Sequence, residues 1–414
     1  VAVESLGVSS LFKNRFLATI LMSGLFVQIG IWVRNFGVLL YVMDRTHGNA
    51  YAVSLISVAE FAPIFIFSFI GGTFADRWPP KRTMVICDLF SGLALSVILG
   101  FLSSGAWQAV FFATLASSIL SQFSQPAGMR LFKLYVPEEY MQAGMSIYQT
   151  MFAIFMIIGP MIGTFVYQHF GIFVCIIVTG IAFLFSAGTL LFLPRDHAET
   201  QAVERMSLLF DMREGIRYVL SKRVLSALGG CFLSAGLAIG LIQPLGIFIV
   251  TERLHLPQTD LQWFTGINGL AMVIGGVVSM VLAKRIAPHI VLFIGMAVSG
   301  LTIAGIGVST IVWLSLLAQF LGGLVMPGIQ ISINTMILSH TENAYVGRVN
   351  GILNPLFMGG MILTMMVAGA LVSWLSIVWV YLFSGMLFCI GLIALVPIFR
   401  KHSSALATEL GDQA

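Results

Sequence analysis

The feature that most constrains this chain is the length of its uncharged stretches. Residues 140–194, 286–341 and 349–399 run for 55, 56 and 51 residues without Asp, Glu, Lys or Arg. A helix needs about 20 apolar residues to cross the hydrocarbon core of a bilayer, so each run holds two crossings. Residues 89–129 hold two more, turning near Ser103-Ser104-Gly105. Single crossings fit 16–43, interrupted only by Arg34, 46–75, interrupted only by Glu60, 224–251 and 261–283. The turn within 140–194 falls near His169-Phe170-Gly171, and the total is twelve. The runs are continuous rather than alternating, so they read as helices and not as barrel strands. With 58% hydrophobic and 9% charged residues, a soluble enzyme, a disordered chain and a nucleic-acid binder are excluded. The fold class expected is all-α integral membrane, twelve transmembrane helices in two six-helix bundles.

Charge placement gives an orientation. With the N-terminus in the cytoplasm, 18 of the 21 Lys and Arg residues fall on the cytoplasmic side; Arg45 and Arg253 lie outside and Arg34 lies within a span. Basic residues mark cytoplasmic loops, so both termini are expected inside a cell's inner (plasma) membrane. No cleavable leader is expected, because the apolar region from Phe16 is far longer than a signal peptide's. The longest polar stretch, from Pro194 to Arg223, separates spans one to six from seven to twelve and is expected to carry a short amphipathic helix near Leu208–Leu220. The domain reading is a first bundle over 1–194, a central loop over 195–223, a second bundle over 224–402 and a tail over 403–414. The halves resemble each other weakly. Glu138-Glu139-Tyr140 follows span four and Glu342-Asn343-Ala344-Tyr345 follows span ten, each after a span with a late proline, Pro126 or Pro327.

Other chemistry is absent from the sequence. There is no GxxxxGK[ST] loop, so no nucleotide motor and no cofactor is expected. The seven histidines and four cysteines show no metal-ligand spacing. Cys87, Cys175, Cys231 and Cys389 all fall in apolar stretches and read as packing residues. No Ser-His-Asp arrangement can be built, and an enzyme is not expected.

Arg34 and Glu60 are the charges clearly within hydrocarbon, where such residues are costly and mark function. Arg34 stands ten residues before Asp44 and Glu60 eleven after Asn49, which puts both about 15 Å below the same outer loop. An Arg34–Glu60 ion pair is therefore expected. Two readings stand: a fixed bridge that sets helix register, or a switch in which Glu60 carries a proton. Burial favours the neutral carboxyl and a nearby guanidinium the charged one. Asp88, at the start of span three, belongs to a gating network or to a proton relay.

Between spans two and three the chain reads Gly71-Gly72-Thr73-Phe74-Ala75-Asp76-Arg77-Trp78-Pro79-Pro80-Lys81-Arg82. This resembles the loop signature of the major facilitator superfamily, departing from it at Pro79 and Pro80. Six plus six helices around a central loop is that superfamily's parallel-repeat architecture. Gly159-Pro160-Met161-Ile162-Gly163 in span five resembles the exporters' glycine-proline signature. With Asp88, Val136-Pro137-Glu138-Glu139 and Tyr345-Val346-Gly347-Arg348-Val349, the whole chain resembles bacterial macrolide-efflux-type drug:proton antiporters. The resemblance implies proton-coupled export of a small molecule by alternating access, by a monomer. Proton coupling is expected through Glu60, Arg34 and Asp88, and gating through Gly72, Asp76, Arg77, Lys81, Arg82, Arg130 and Arg348. Helix packing would fall to Gly159, Pro160 and Gly163. Spans one, four, seven and ten line the cavity in this superfamily, so a subset of Gln28, Asn35, Gln122, Gln149, Gln243, Asn268 and Gln330 is expected to face substrate. Export of a specific metabolite, such as a metallophore or a lipid-like anion, is the near alternative. A passive channel or a receptor that does not transport is the distant one.

Overall fold

The computed structural model describes residues 15–75, 78–194, 208–282, 285–342 and 345–411. Among them every regular element is helical. The first unit contains α1 (Arg15–Arg45), α2 (Ala50–Ala75), α3 (Pro80–Ser103) and α4 (Ala109–Tyr135). The run Glu138–Leu191 then divides into α5 (138–170) and α6 (172–191) at Gly171, whose φ of 74° and ψ of −178° break the helix. The second unit opens with the amphipathic α7 (Leu208–Ser221) and continues with α8 (Arg223–Ile242), α9 (Leu261–Leu282), α10 (Pro288–Val308), α11 (Val312–His340), α12 (Val346–Leu375) and α13 (Ile377–Gly411). α8 is prolonged to Arg253 by a 3₁₀ turn at Gln243–Leu245, a helical turn and a π turn. Pro244 explains the change, because it removes a backbone donor and crowds the preceding turn.

Ten stretches are long and apolar enough to cross a membrane; one of them, Ala143–Leu191, is the pair of helices joined at Gly171. α4 is the remaining span. Its serines and glutamines, with Arg130 and Lys133, dilute its apolar character. Twelve spans result.

The chain divides into compact units at 1–202 and 203–414. The stretch 208–221, expected within a central loop, is a helix of the second unit, where it packs on α12 and α8. The expected tail is helical as far as Gly411.

The two units repeat one packing scheme. In the first, α1 packs on the α5–α6 run, α3 on α4 and α6, and α2 on α4; in the second, α8 packs on α12 and α13, α10 on α11 and α13, and α9 on α11. Backbone landmarks fix the register. Arg15 and Arg223 open the first span of each unit, Pro80 and Pro288 the third, and Glu138 and Val346 the fifth, all 208 residues apart. His47 and His255, also 208 apart, both have positive φ (51° and 53°). The sixth span follows a second left-handed residue, Gly171 in one unit and Ser376 (φ 79°) in the other, 205 apart.

The spans approach closely where glycines face aromatic or backbone atoms. A β-carbon at Gly163 would stand 2.7 Å from both Phe36 Cβ and the Trp32 carbonyl oxygen, and one at Gly159 would collide with the Trp32 ring. This seats α5 directly on α1, as small residues do in membrane bundles. Pro160 lies between these two glycines inside the helix. Three of the four cysteines, Cys87, Cys175 and Cys231, are buried and all four are unpaired.

Candidate functional site

Arg34 and Glu60 do lie at one level, on neighbouring spans, but they do not form the direct ion pair expected. Asn35 stands between them. Its Oδ1 accepts hydrogen bonds from Arg34 Nε at 3.1 Å and Nη2 at 2.8 Å, and its Nδ2 donates to Glu60 Oε1 at 2.6 Å. The amide thus offers its acceptor face to the cation and its donor face to the carboxylate. Arg34 is only 3% exposed, and its Nη1 has no hydrogen-bond partner among the described residues. Glu60 is half-buried, three residues before Pro63, which interrupts the hydrogen-bond ladder of α2. The arrangement can carry opposite charges without contact. It can also release the carboxyl by turning a single amide.

A second polar node lies on the same helix. Ser23 of α1 and Ser186 of α6 pair through their hydroxyls at 2.7 Å, and Ser186 donates to Asp88 Oδ2 of α3 at 2.6 Å. All three are buried. Asp88 makes no ion pair among the described residues, so the gating network expected around it is not what holds it. Lys81 instead donates to the carbonyls of Leu191 and Leu193, tying the start of α3 to the end of α6. Arg130 Nη1 donates to the Trp78 carbonyl at 3.4 Å. Asp76 and Arg77 lie outside the described residues. Gly72 lies within α2, and Arg82 is exposed near the start of α3.

Arg348 belongs to a different assembly. Its Nη1 stands 2.9 Å from Glu214 Oε2 on α7, and its guanidinium lies over Tyr345 at 5.1 Å. Tyr345 stacks on Tyr218 at 4.2 Å with planes 6° apart, and Lys222 caps Tyr218 at 4.5 Å. The hydrogen bond from Lys222 to the Tyr218 hydroxyl, then the Glu342 carboxylate, holds this ammonium above the usual lysine range. Four layers of cation and ring thereby clamp α7 to the α11–α12 connection.

The amides divide among several roles. Gln28 is buried beside Asp88. Gln122 donates to the Ser118 carbonyl of its own helix at 3.5 Å, and Asn268 donates to the Gln319 carbonyl at 3.1 Å, joining α9 to α11. Gln149, Gln243 and Gln330 are exposed. Asn35, expected to meet substrate, is taken up by Arg34 and Glu60. The Ser23 and Ser186 hydroxyls escaped sequence reasoning because they come together only in the folded bundle.

Two six-helix repeats, with charge buried inside the first, define a multi-pass membrane carrier. The sequence profile of the Major Facilitator Superfamily matches residues 20–245 and 228–411, and the chain belongs to that superfamily. It is 24% identical over 383 residues to the multidrug efflux pump Tap of Mycobacterium tuberculosis, covering 87% of this chain and 88% of that protein. It is 22% identical over 254 residues to macrolide efflux protein A of Streptococcus pyogenes, covering 59% and 61%. Among solved structures, the nucleoside transporter NupG shares the fold with a TM-score of 0.72 at 15% identity, over 93% of this chain and 99% of that one.

Proposed function

We propose that this chain is a proton-coupled secondary exporter of lipophilic and amphipathic small molecules, working by alternating access as a monomer with both termini in the cytoplasm. The observation that carries the reading is the Arg34–Asn35–Glu60 relay, a buried guanidinium and a half-buried carboxyl within the span region, separated by one amide. Buried charge of this kind marks ion pathways in membrane carriers. With Asn35 in place, its amide donor and the nearby guanidinium offer the carboxyl of Glu60 partners that its charged form needs. With Asn35 turned away, the carboxyl stands in apolar surroundings that favour its neutral form. A change of conformation that moves α1 against α2 then becomes an exchange of one proton. The similarity to the multidrug pump Tap and to macrolide efflux protein A supports export and a lipophilic class of solute.

The spans offer aromatic and methionine side chains in quantity, 33 Phe and 21 Met, and few clustered polar groups. Such surfaces suit adaptable apolar binding, whereas sugars need many fixed hydrogen-bond partners. The test is transport in proteoliposomes: an imposed pH gradient should drive uptake or release of a lipophilic dye, and Glu60→Gln should abolish the drive while leaving dye binding in place. Unchanged pH dependence in that variant refutes the role of Glu60, and selective transport of a hydrophilic sugar refutes the exporter reading.

A second reading has one observation in its favour. Arg34 Nη1 is buried without a partner among the described residues, so an anionic metabolite could bind there once Glu60 is neutral. Competition between matched cationic, neutral and anionic compounds separates the two.

A further inference from the structure

The first unit holds a partly open cavity of about 100 Å³ between α1, α3, α4, α5 and α6. Gln28, Asp88, Ser91, Ser124 and Gln125 form a polar side, and Met84, Met145, Tyr148 and Phe183 an apolar one. Asp88 is 3% exposed. Its Oδ2 accepts from Ser186, and the Ser23 hydroxyl backs Ser186. Ser186 donates its hydroxyl to Asp88 Oδ2, which leaves its oxygen to accept from Ser23. The other carboxyl oxygen, Oδ1, has no hydrogen bond among the described residues, and neither do the side chains of Gln28 and Ser91. The titratable groups beside Asp88 are Cys87 on its own helix and Tyr148 on α5; among the described residues no Lys, Arg or His lines the cavity. A carboxylate buried without a compensating charge is strongly disfavoured.

The second unit supplies an internal control. By the register established above, Asp88, Ser186 and Ser23 correspond to Met296, Gly391 and Cys231. Those three also meet: the Cys231 thiol points to the Gly391 carbonyl at 3.4 Å, and the Met296 methyl lies 2.5 Å from where a β-carbon on Gly391 would stand. That joint also holds the Ser234 hydroxyl, which donates to the Cys231 carbonyl, but it contains no acid. The fold does not require an acid at this crossing, so Asp88 and the polar wall serve something other than packing.

We propose that this cavity is a binding site for one compact organic cation, the ammonium head of a protonated amine, seated against Asp88 Oδ1. Its short carbon portion lies against Met84, Tyr148 and Phe183, and the Ser23–Ser186 pair fixes the carboxylate rotamer. Charge selects a cation. Volume selects something larger than a proton, since the space equals that of about three waters. The mixed wall selects an organic head group: aromatic faces attract a nearby ammonium and methionine side chains adapt to its carbon portion, whereas hard metal ions call for six or more oxygens around them. The site lies inside one bundle and does not rest on the role assigned to Glu60.

Thermal unfolding of the full-length protein in nanodiscs tests this, because a ligand of the native state raises the midpoint with concentration. The probe is n-butylammonium chloride, with n-butanol as the neutral isostere and sodium chloride at matched ionic strength. A saturable rise with butylammonium alone is expected. Asp88→Asn should weaken the apparent affinity at least tenfold, and Ser124→Phe, which fills the cavity while keeping the acid, should do the same. Gly188→Ala, at a position with open space around it, should respond as the native chain does. If Asp88→Asn fails to fold, Ser124→Phe carries the test. A saturable sodium response that Asp88→Asn removes would overturn the proposal in favour of an inorganic ion. No response to butylammonium, or an equal response in the native chain and both cavity variants, would also overturn it. Proton-driven transport is not the readout, so a negative result here leaves the reading of Glu60 standing.

Discussion

Asn35 decides how Arg34 and Glu60 coexist. Removing it strands a buried guanidinium and a half-buried carboxyl at once, and leaving such groups unsatisfied costs about 1–3 kcal/mol or more. Asn35→Ala should therefore lower the thermal midpoint more than Glu60→Gln, which keeps an amide partner for Asn35. Equal midpoints for the two variants would show that the amide is not the bridge. Counting residues from the outer loop was enough to place Arg34 and Glu60 at one depth, because helical rise is constant. It could not reveal the bridge. A neighbour in sequence points elsewhere on an ideal helix, and only the rotamers of Arg34 and Asn35 turn the two toward each other. The Asp88 node was still less legible, since Ser23 and Ser186 are 163 residues apart and nothing in their local sequence distinguishes them from other span serines.

Element boundaries were legible wherever chemistry is local. The uncharged runs gave the spans, and the turns near Ser103-Ser104-Gly105 and His169-Phe170-Gly171 fall where Gly105 (φ 88°) and Gly171 take left-handed backbone. The break of α8 at Pro244 and the clamp on α7 were not foreseen, the latter because it pairs Tyr218 with Tyr345 across 127 positions. Packing between helices gives two contrasts. Gly163→Ala must push into the Trp32 carbonyl and Phe36, whereas Gly188→Ala meets nothing within 4 Å. The first should destabilise by about 1–3 kcal/mol, as overpacking does, and the second should be neutral; thermal scans of the two proteins side by side check it. Ser376 occupies the position that Gly171 fills in the first unit, with φ 79° and ψ 155°. That region is nearly glycine-only and costs other residues about 1–3 kcal/mol, so Ser376→Gly should raise the midpoint and Gly171→Ser should lower it. For α7, Tyr218→Ala removes one ring and the seat of Lys222. Amide exchange over 208–221 should then accelerate while exchange in α10 stays slow; unchanged protection of α7 would show that the stack is incidental.

At the scale of the whole molecule, the division into two repeats follows from length, charge and spacing, whereas the superfamily was legible through the resemblance of the Gly71–Arg82 loop to its signature. Orientation is a property of the loops. With 18 of 21 basic residues assigned to one side, a reporter fused after Ala414 should be active only in the cytoplasm, and activity outside the cell would invert the topology.

The register of 208 residues also shows where charge was not placed. Arg34, Glu60 and Asp88 correspond to Ile242, Asn268 and Met296, and among the described residues no charged side chain of the second unit is buried as Arg34 and Asp88 are. A membrane potential does work only on charge that shifts through its field, about 2.3 kcal/mol for each elementary charge carried across 100 mV. Voltage therefore has its grip on one bundle of this protein, and the other presents it with almost nothing to pull.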